Sequence, residues 1–294
     1  MTANAAPVRE IPTPLKYGLY PFLVGGGFLF AIYDVRSGMN RAAAVPAVLF
    51  PTIVLSILVE SRYPLKREWS MTKRSVFRRD VPFLLIASVV ARASEAGVTE
   101  IARRTLPTEG FGLMGRLPIA LQIFVAVLLF DLLWYGYHRF AHKNGRLWRV
   151  HGAHHAPSQM YVLMHGVFHP FDELFVRFVL GLLVFRSFGF RPDATFLAAI
   201  LIGSVGIVSH INADIRIWAF NHLLMGPQLH RYHHSTTHRG NYGTVTSVWD
   251  QLFGTFTFSF EPPSALGLSD VSDYPNPEKI GQVLLWPLKT GVTA

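Results

Sequence analysis

A chain of 294 residues, half of them hydrophobic and with a positive mean hydropathy, is too apolar for an ordinary soluble domain and fits a multi-pass membrane protein. It contains no cysteine, which excludes disulfides, thiolate nucleophiles, iron–sulfur clusters and cysteine zinc sites. Its net charge of +9 raises nucleic acid as a partner, but no recognition motif accompanies the charge, and the reading is no nucleic acid.

The chain opens on a polar lead without a basic cluster, so the apolar segment 17–33 reads as a retained anchor, not a cleaved signal. Segment 17–33 lies uncharged between Lys16 and Asp34, and segment 42–59 lies uncharged between Arg41 and Glu60. Each approaches the roughly 20 residues that cross a hydrocarbon core. Arg62, Lys66, Arg67, Lys73, Arg74, Arg78 and Arg79 follow. The positive-inside rule puts this stretch, 61–80, in the cytoplasm, with contact to anionic headgroups as an added role. Segment 81–91 is apolar but short. Segment 117–137 is a third span, broken by Asp131 near its end; 178–185 is again short, and 194–213 is a fourth span with His210 inside it. From about Pro262 the chain turns rich in Pro, Ser and Asp. The expected fold is all-α: a multi-pass transmembrane helical bundle with a cytoplasm-facing, histidine-rich helical cap. Its parts are an N-terminal transmembrane region with a basic loop (1–116), a histidine-box region (117–260) and a peripheral C-terminal tail (261–294).

All thirteen histidines lie after residue 137. His138 and His142 stand in HRFAH, His151, His154 and His155 in HGAHH, His210 alone in SHIN, and His230, His233 and His234 in HRYHH. Residues three and four apart share a helix face, so each HxxHH box is expected to present its first histidine with both later ones on one stripe. An HxxxH pair is weak evidence in a chain this rich in histidine. Any given position begins HxxHH with a chance of roughly one in ten thousand at this histidine frequency, so two such boxes are not accidental. Scavenging tracts are usually irregular runs; these clusters sit at helical spacing beside apolar segments, where a neutral imidazole is costly without a partner.

With 61–80 in the cytoplasm, an even number of crossings between clusters brings them all to one face. This requires 178–185 to pair with the next span as a hairpin, or to dip in and return. Nine clustered imidazoles exceed what one ion takes, so two ions are implied. Imidazole suits zinc, iron, copper and nickel, and spacing alone does not choose among them. HExxH is absent, which argues against a zinc hydrolase. A haem needs one ligand per face, which HxxHH over-supplies. A membrane metal-binding or metal-transport protein without oxygenase chemistry is the remaining alternative.

HRFAH, HGAHH and HRYHH, in that order and beside spans, resemble the fatty acid hydroxylase/sterol desaturase superfamily of integral membrane di-iron enzymes. Residues 241–256, Asp131 ahead of the first box, and the pair His169–Pro170 are similar to that family as well. The resemblance covers roughly 131–256. It implies two iron ions and O2 as co-substrate, with a lipid-like substrate drawn from the bilayer and either hydroxylated or desaturated. Fatty acyl chains, sterols, sphingolipids and carotenoids are all used in the superfamily. It implies as ligands His138, His142, His151, His154, His155, His210, His230, His233 and His234. Asp131, His169, Asn241 and Asp250 are read as residues that orient the ligands, with structural roles open for each. Trp249 is read as packing. His165 and His222 match no box and read as satisfied polar residues; His238 borders the last box. The chain has no haem-binding HPGG, so electrons come from a separate ferredoxin- or cytochrome b5-like donor. Zinc in purified protein would not exclude iron, because zinc outcompetes iron(II) at such ligands.

Overall fold

The computed structural model describes residues 9–38, 40–107, 112–268 and 273–289. Among the described residues there are helices and two isolated β-bridges, and no strand. Five helices among the described residues are long and apolar enough to cross a membrane. They are α1 (Thr13–Ser37), α2 (Arg41–Arg62), α3 (Val81–Thr105), α4 (Ile119–Ala141) and α7 (Pro192–Ser209). Between α4 and α7 come the short α5 (Gly145–His155) and a sixth apolar helix, α6, in which Pro170–Leu174 runs into the wider π-type turns Phe175–Arg186.

The helices run alternately out and back, and contacts at their ends fix the order. At one end, Tyr20 near the start of α1 donates its hydroxyl to the Met225 carbonyl at 3.0 Å. Glu60 at the end of α2 accepts the backbone N–H of Val162 and of Asn212. Phe83 at the start of α3 packs on Ala153 and Val167. At the other end, Met114 N–H donates to Phe188 O at 3.0 Å, Arg191 N–H donates to Gln122 Oε1 at 2.9 Å, and Arg41 pairs with Asp193. Every histidine box therefore lies at one end of the bundle, capped by α5, α8 (Pro227–His233), α9 (Val248–Leu252) and α10 (Ile280–Leu285).

Two short apolar stretches extend into longer helices. The apolar stretch 81–91 is the first half of the full-length α3. Its second half is charged, but Arg92 pairs with Glu95, and Arg103 and Arg104 with Glu100, at helical spacing. Segment 178–185 lies within α6, which packs on α3 and α4 as well as leading out ahead of the returning α7. The basic stretch is only partly a solvated face. Arg79 is buried, bonded to Asp80 and to the Tyr161 hydroxyl, and Lys66 donates to the carbonyls of Pro263 and Ser264. The C-terminal segment lies along the histidine helix: Tyr274 Oη donates to Arg149 O at 3.0 Å, and its ring fills the space a Cβ on Gly152 would need.

Candidate metal centre

Local chemistry sets each histidine in place. His138 and His142 close α4, one turn apart, with His142 as its C-cap. Asn144 then starts α5 by accepting the N–H groups of Arg146 and Leu147, each at 3.1 Å. Pro227 opens α8 at a position where its missing N–H costs nothing. His210 is the C-cap of α7.

These residues converge into two groups whose candidate ligand atoms lie within 4.8 Å of one another. One holds His138, His142, His151, His155 and His233, and the other His154, His210, His230 and His234. The expectation that each HxxHH box acts as one stripe is corrected here. At 3.6 residues per turn the first and last histidines of a box are about 40° apart, whereas the last two are about 100° apart. In α5, His151 and His155 enter the five-histidine group and His154 turns to the other. In α8 the pattern is mirrored: His230 and His234 enter the four-histidine group, and His233 crosses over.

The hydrogen bonds make a hydrogen-bonded account of these rings untenable. Nδ1 of His154 faces the Val167 carbonyl at 3.1 Å, and Nδ1 of His210 faces the Gly206 carbonyl at 2.8 Å. A carbonyl only accepts, so both rings carry their proton on Nδ1 and a lone pair on Nε2. Yet the two Nε2 atoms lie 3.3 Å apart. In the five-histidine group, His138 donates through Nδ1 to Tyr242 O, His233 to Gly240 O, and His151 to the Asp172 carboxylate. The Nε2 atoms of His151 and His233 then both face Nε2 of His155, at 3.2 and 3.1 Å, and one proton there serves only one of them. Nε2 of His138 and both nitrogens of His142 are buried with no hydrogen-bond partner. Clustered lone pairs need a cation between them. At a metal–nitrogen distance of about 2.1 Å, separations of this size subtend roughly 90–105°. The donor set fits two metal ions.

Loss of hydration disfavours the charged form of several of these rings and so favours the neutral form, which binds metal. Loss of hydration pulls His210 and His233 down to about 3 and holds His154, His155, His230 and His234 well below the usual histidine range.

None of Asp131, Asn241 and Asp250 hydrogen-bonds to a clustered histidine ring among the described residues; each holds backbone. Asp131 accepts the N–H groups of Thr244, Val245 and Thr246 and the Thr246 hydroxyl. Asp250 accepts from Tyr242 N and Gly243 N, one bond removed from His138 through the Tyr242 carbonyl. Asn241, at φ 54°, ties Leu229 in α8 to Thr257. His169 is in neither group and caps α6, its Nδ1 accepting the Phe171 N–H at 3.2 Å. His165 packs against Gly206, where a side chain would meet its ring, and stands 5.3 Å from His210 by ring centroids. His222 meets Gln251, and the backbone N–H of His238 donates to the Ser235 hydroxyl. The carboxylate that does meet a clustered ring is Asp172, which also accepts from the Tyr137 hydroxyl. Sequence reasoning passed over it; its only signal is an acidic residue in the first turn after His169–Pro170.

A cavity of about 780 Å³ lies against this centre, walled by Trp134, Phe168, Val176, Phe185, Ile200 and Ile207. Phe168 stacks on His154 with ring centroids 4.1 Å apart. From Ile207 to Thr195 on α7, both on its wall, the helix rises about 18 Å, so the cavity is long and mostly apolar.

Residues 123–255 match the fatty acid hydroxylase family. Over 248 residues, 81% of this chain and 74% of the relative, the sequence is 28% identical to an ornithine lipid hydroxylase of Rhizobium tropici. It is 30% identical over 142 residues to an alkylglycerol monooxygenase of Danio rerio, a match covering 45% of this chain and 30% of that protein. No solved structure matches the chain.

Proposed function

We propose that this chain, whose residues 123–255 match the fatty acid hydroxylase family, is a member of that family and a membrane-bound di-iron enzyme that uses O2 to hydroxylate a lipid. The observation that carries this reading is the pair of buried imidazole groups set against a long apolar cavity. His138, His142, His151, His155 and His233 would hold one ion, and His154, His210, His230 and His234 the other. A bound iron pair supplies what the side chains lack, activation of O2 and removal of hydrogen from an unactivated C–H bond.

The chain's own residues do the rest. The carbonyls of Val167, Gly206, Tyr242 and Gly240 and the carboxylate of Asp172 fix the tautomer and direction of five rings. Trp134 and Phe168 line the cavity beside the centre and would shield it from water. The cavity suits an acyl or alkyl chain, and both named relatives act on lipids by their names. We assign a two-electron donor system separate from this chain, and we place the histidine end in the cytoplasm from the basic residues of 61–80.

The test is purified protein in lipid nanodiscs, loaded with iron(II) and assayed by mass spectrometry on lipid extracts under labelled O2. One oxygen atom from O2 in a lipid product supports the reading, and loss of two hydrogens indicates desaturation instead. Iron-loaded protein that leaves every lipid unchanged with a competent donor refutes it.

A further inference from the structure

Of the nine clustered histidines, eight are buried and His142 alone is half-buried. Its ring packs on half-buried Trp148, centroids 4.9 Å apart, and Trp148 packs on His155 at 5.5 Å. The five-histidine group thus has one edge that reaches the surface. The four-histidine group is enclosed and leans through Phe168 on the cavity. The two groups face different things.

The exposed edge is ringed by positive charge. Lys143 follows His142 directly, Arg139 lies one turn before it, and Arg146 stands at the start of α5, two residues ahead of Trp148. From the α8 side, the guanidinium of Arg239 lies 5.9 Å from the Trp148 ring centre. Neither 139–155 nor 231–241 contains an aspartate or glutamate. Arg139, Lys143, Arg146 and Arg239 pair with no carboxylate among the described residues. Arg74, Arg103, Arg104 and Arg216, elsewhere, each do.

We infer that this rim is the docking face for a small acidic one-electron carrier protein, whose electrons enter at the five-histidine group across the His142–Trp148 edge. This rests on the hydroxylase reading above. Hydroxylating one C–H bond consumes one O2, two electrons and two protons, and yields one hydroxyl group and one water. Two reduced carriers are therefore each oxidised by one electron per turnover. A single-sign rim steers an oppositely charged partner and raises its rate of encounter. Anionic headgroups are the other ligand such cations attract. The placement of the rim around the one exposed edge of an otherwise buried centre favours the carrier.

The test compares the full chain with its Lys143→Glu/Arg146→Glu/Arg239→Glu variant in nanodiscs of zwitterionic lipid, with and without added anionic lipid, using reduced [2Fe–2S] ferredoxin as carrier and photoreduced deazaflavin as a small donor. The expected result is a rise of about tenfold or more in the KM for ferredoxin with a flattened salt dependence. Deazaflavin-driven turnover and metal content stay as they were. Equal losses with both donors, an unchanged KM, or a change that follows anionic lipid content instead of salt overturns the inference. Ferredoxin binding to the nanodisc-held protein is measured alongside, without turnover. An active chain whose carrier binding ignores the charge reversal sinks the docking face alone. An inactive, iron-loaded chain that still binds ferredoxin through these charges sinks the hydroxylase reading and leaves the docking face standing.

Discussion

His154 and His155 are consecutive in the chain, yet their rings, 5.4 Å apart by centroids and at 89° to each other, belong to different histidine groups. Replacing either by alanine should therefore remove a different ion. Metal analysis of His154→Ala and His155→Ala is expected to give about one ion per chain instead of about two. Each variant should stay in the membrane and lose O2-dependent turnover. Mössbauer spectra of the two should show different surviving iron sites. Two ions retained in both variants would refute the ligand sets.

Asp172 meets Nδ1 of His151 from 21 residues along the chain, and its other oxygen holds the Tyr137 hydroxyl. Asp172→Asn keeps the shape and removes the charge. Partners of this kind are worth about 10–100-fold in metal affinity or activity. The loss should fall on the five-histidine ion, with the other retained, as read by competition with a chelator. Equal weakening of both ions would show a general structural role.

Asp131 gathers four donors from three successive residues, Thr244 to Thr246. Asp131→Ala leaves them buried without an acceptor, at about 1–3 kcal/mol for each donor that finds no substitute. A fall in thermal midpoint in detergent and faster proteolysis within 241–247 are expected, ahead of any change in metal ligation. A variant as stable as the parent would show that the loop is held by other contacts.

Loss of hydration pulls His210 and His233 from 6.5 to about 3. A lowered value favours the neutral ring, so both stay ready for metal down to about pH 3. A ring at the ordinary value would be largely protonated at pH 6 and would release a proton on binding metal. Calorimetry of metal binding at pH 6 in buffers of different ionisation enthalpy should therefore show little proton release. Affinity that falls about tenfold per pH unit for each such ring between pH 6 and 5 would contradict the burial described.

Gly203 lines the cavity, and a Cβ there meets Leu49 only at ordinary contact distance. Gly203→Phe should fold and shorten the cavity, shifting preference toward shorter chains. Product profiles from a mixed-chain lipid pool would read this directly; an unchanged profile would place the substrate elsewhere.

The boxes were legible because spacing within one helical turn is a property of the chain alone. Their division into two groups was not, because it depends on how α5 and α8 approach each other. Asp172 was hidden for the same reason: its partner His151 lies across a turn that only the fold closes. Asp131, Asn241 and Asp250 stood out as polar residues near the boxes, but only coordinates reveal that they bind the 241–257 backbone. The length of α3 was masked by charges that neutralise one another along its own surface.

Each histidine group draws on α8 and the residue that ends it, which follow all five long apolar helices found among the described residues. Translation consequently delivers those five helices before it delivers the residues that close the centre. Biogenesis is thereby divided: the bundle can be inserted while the cap is still unfinished, and any metal loading would be a late step, carried out on whichever side of the bilayer the finished cap emerges.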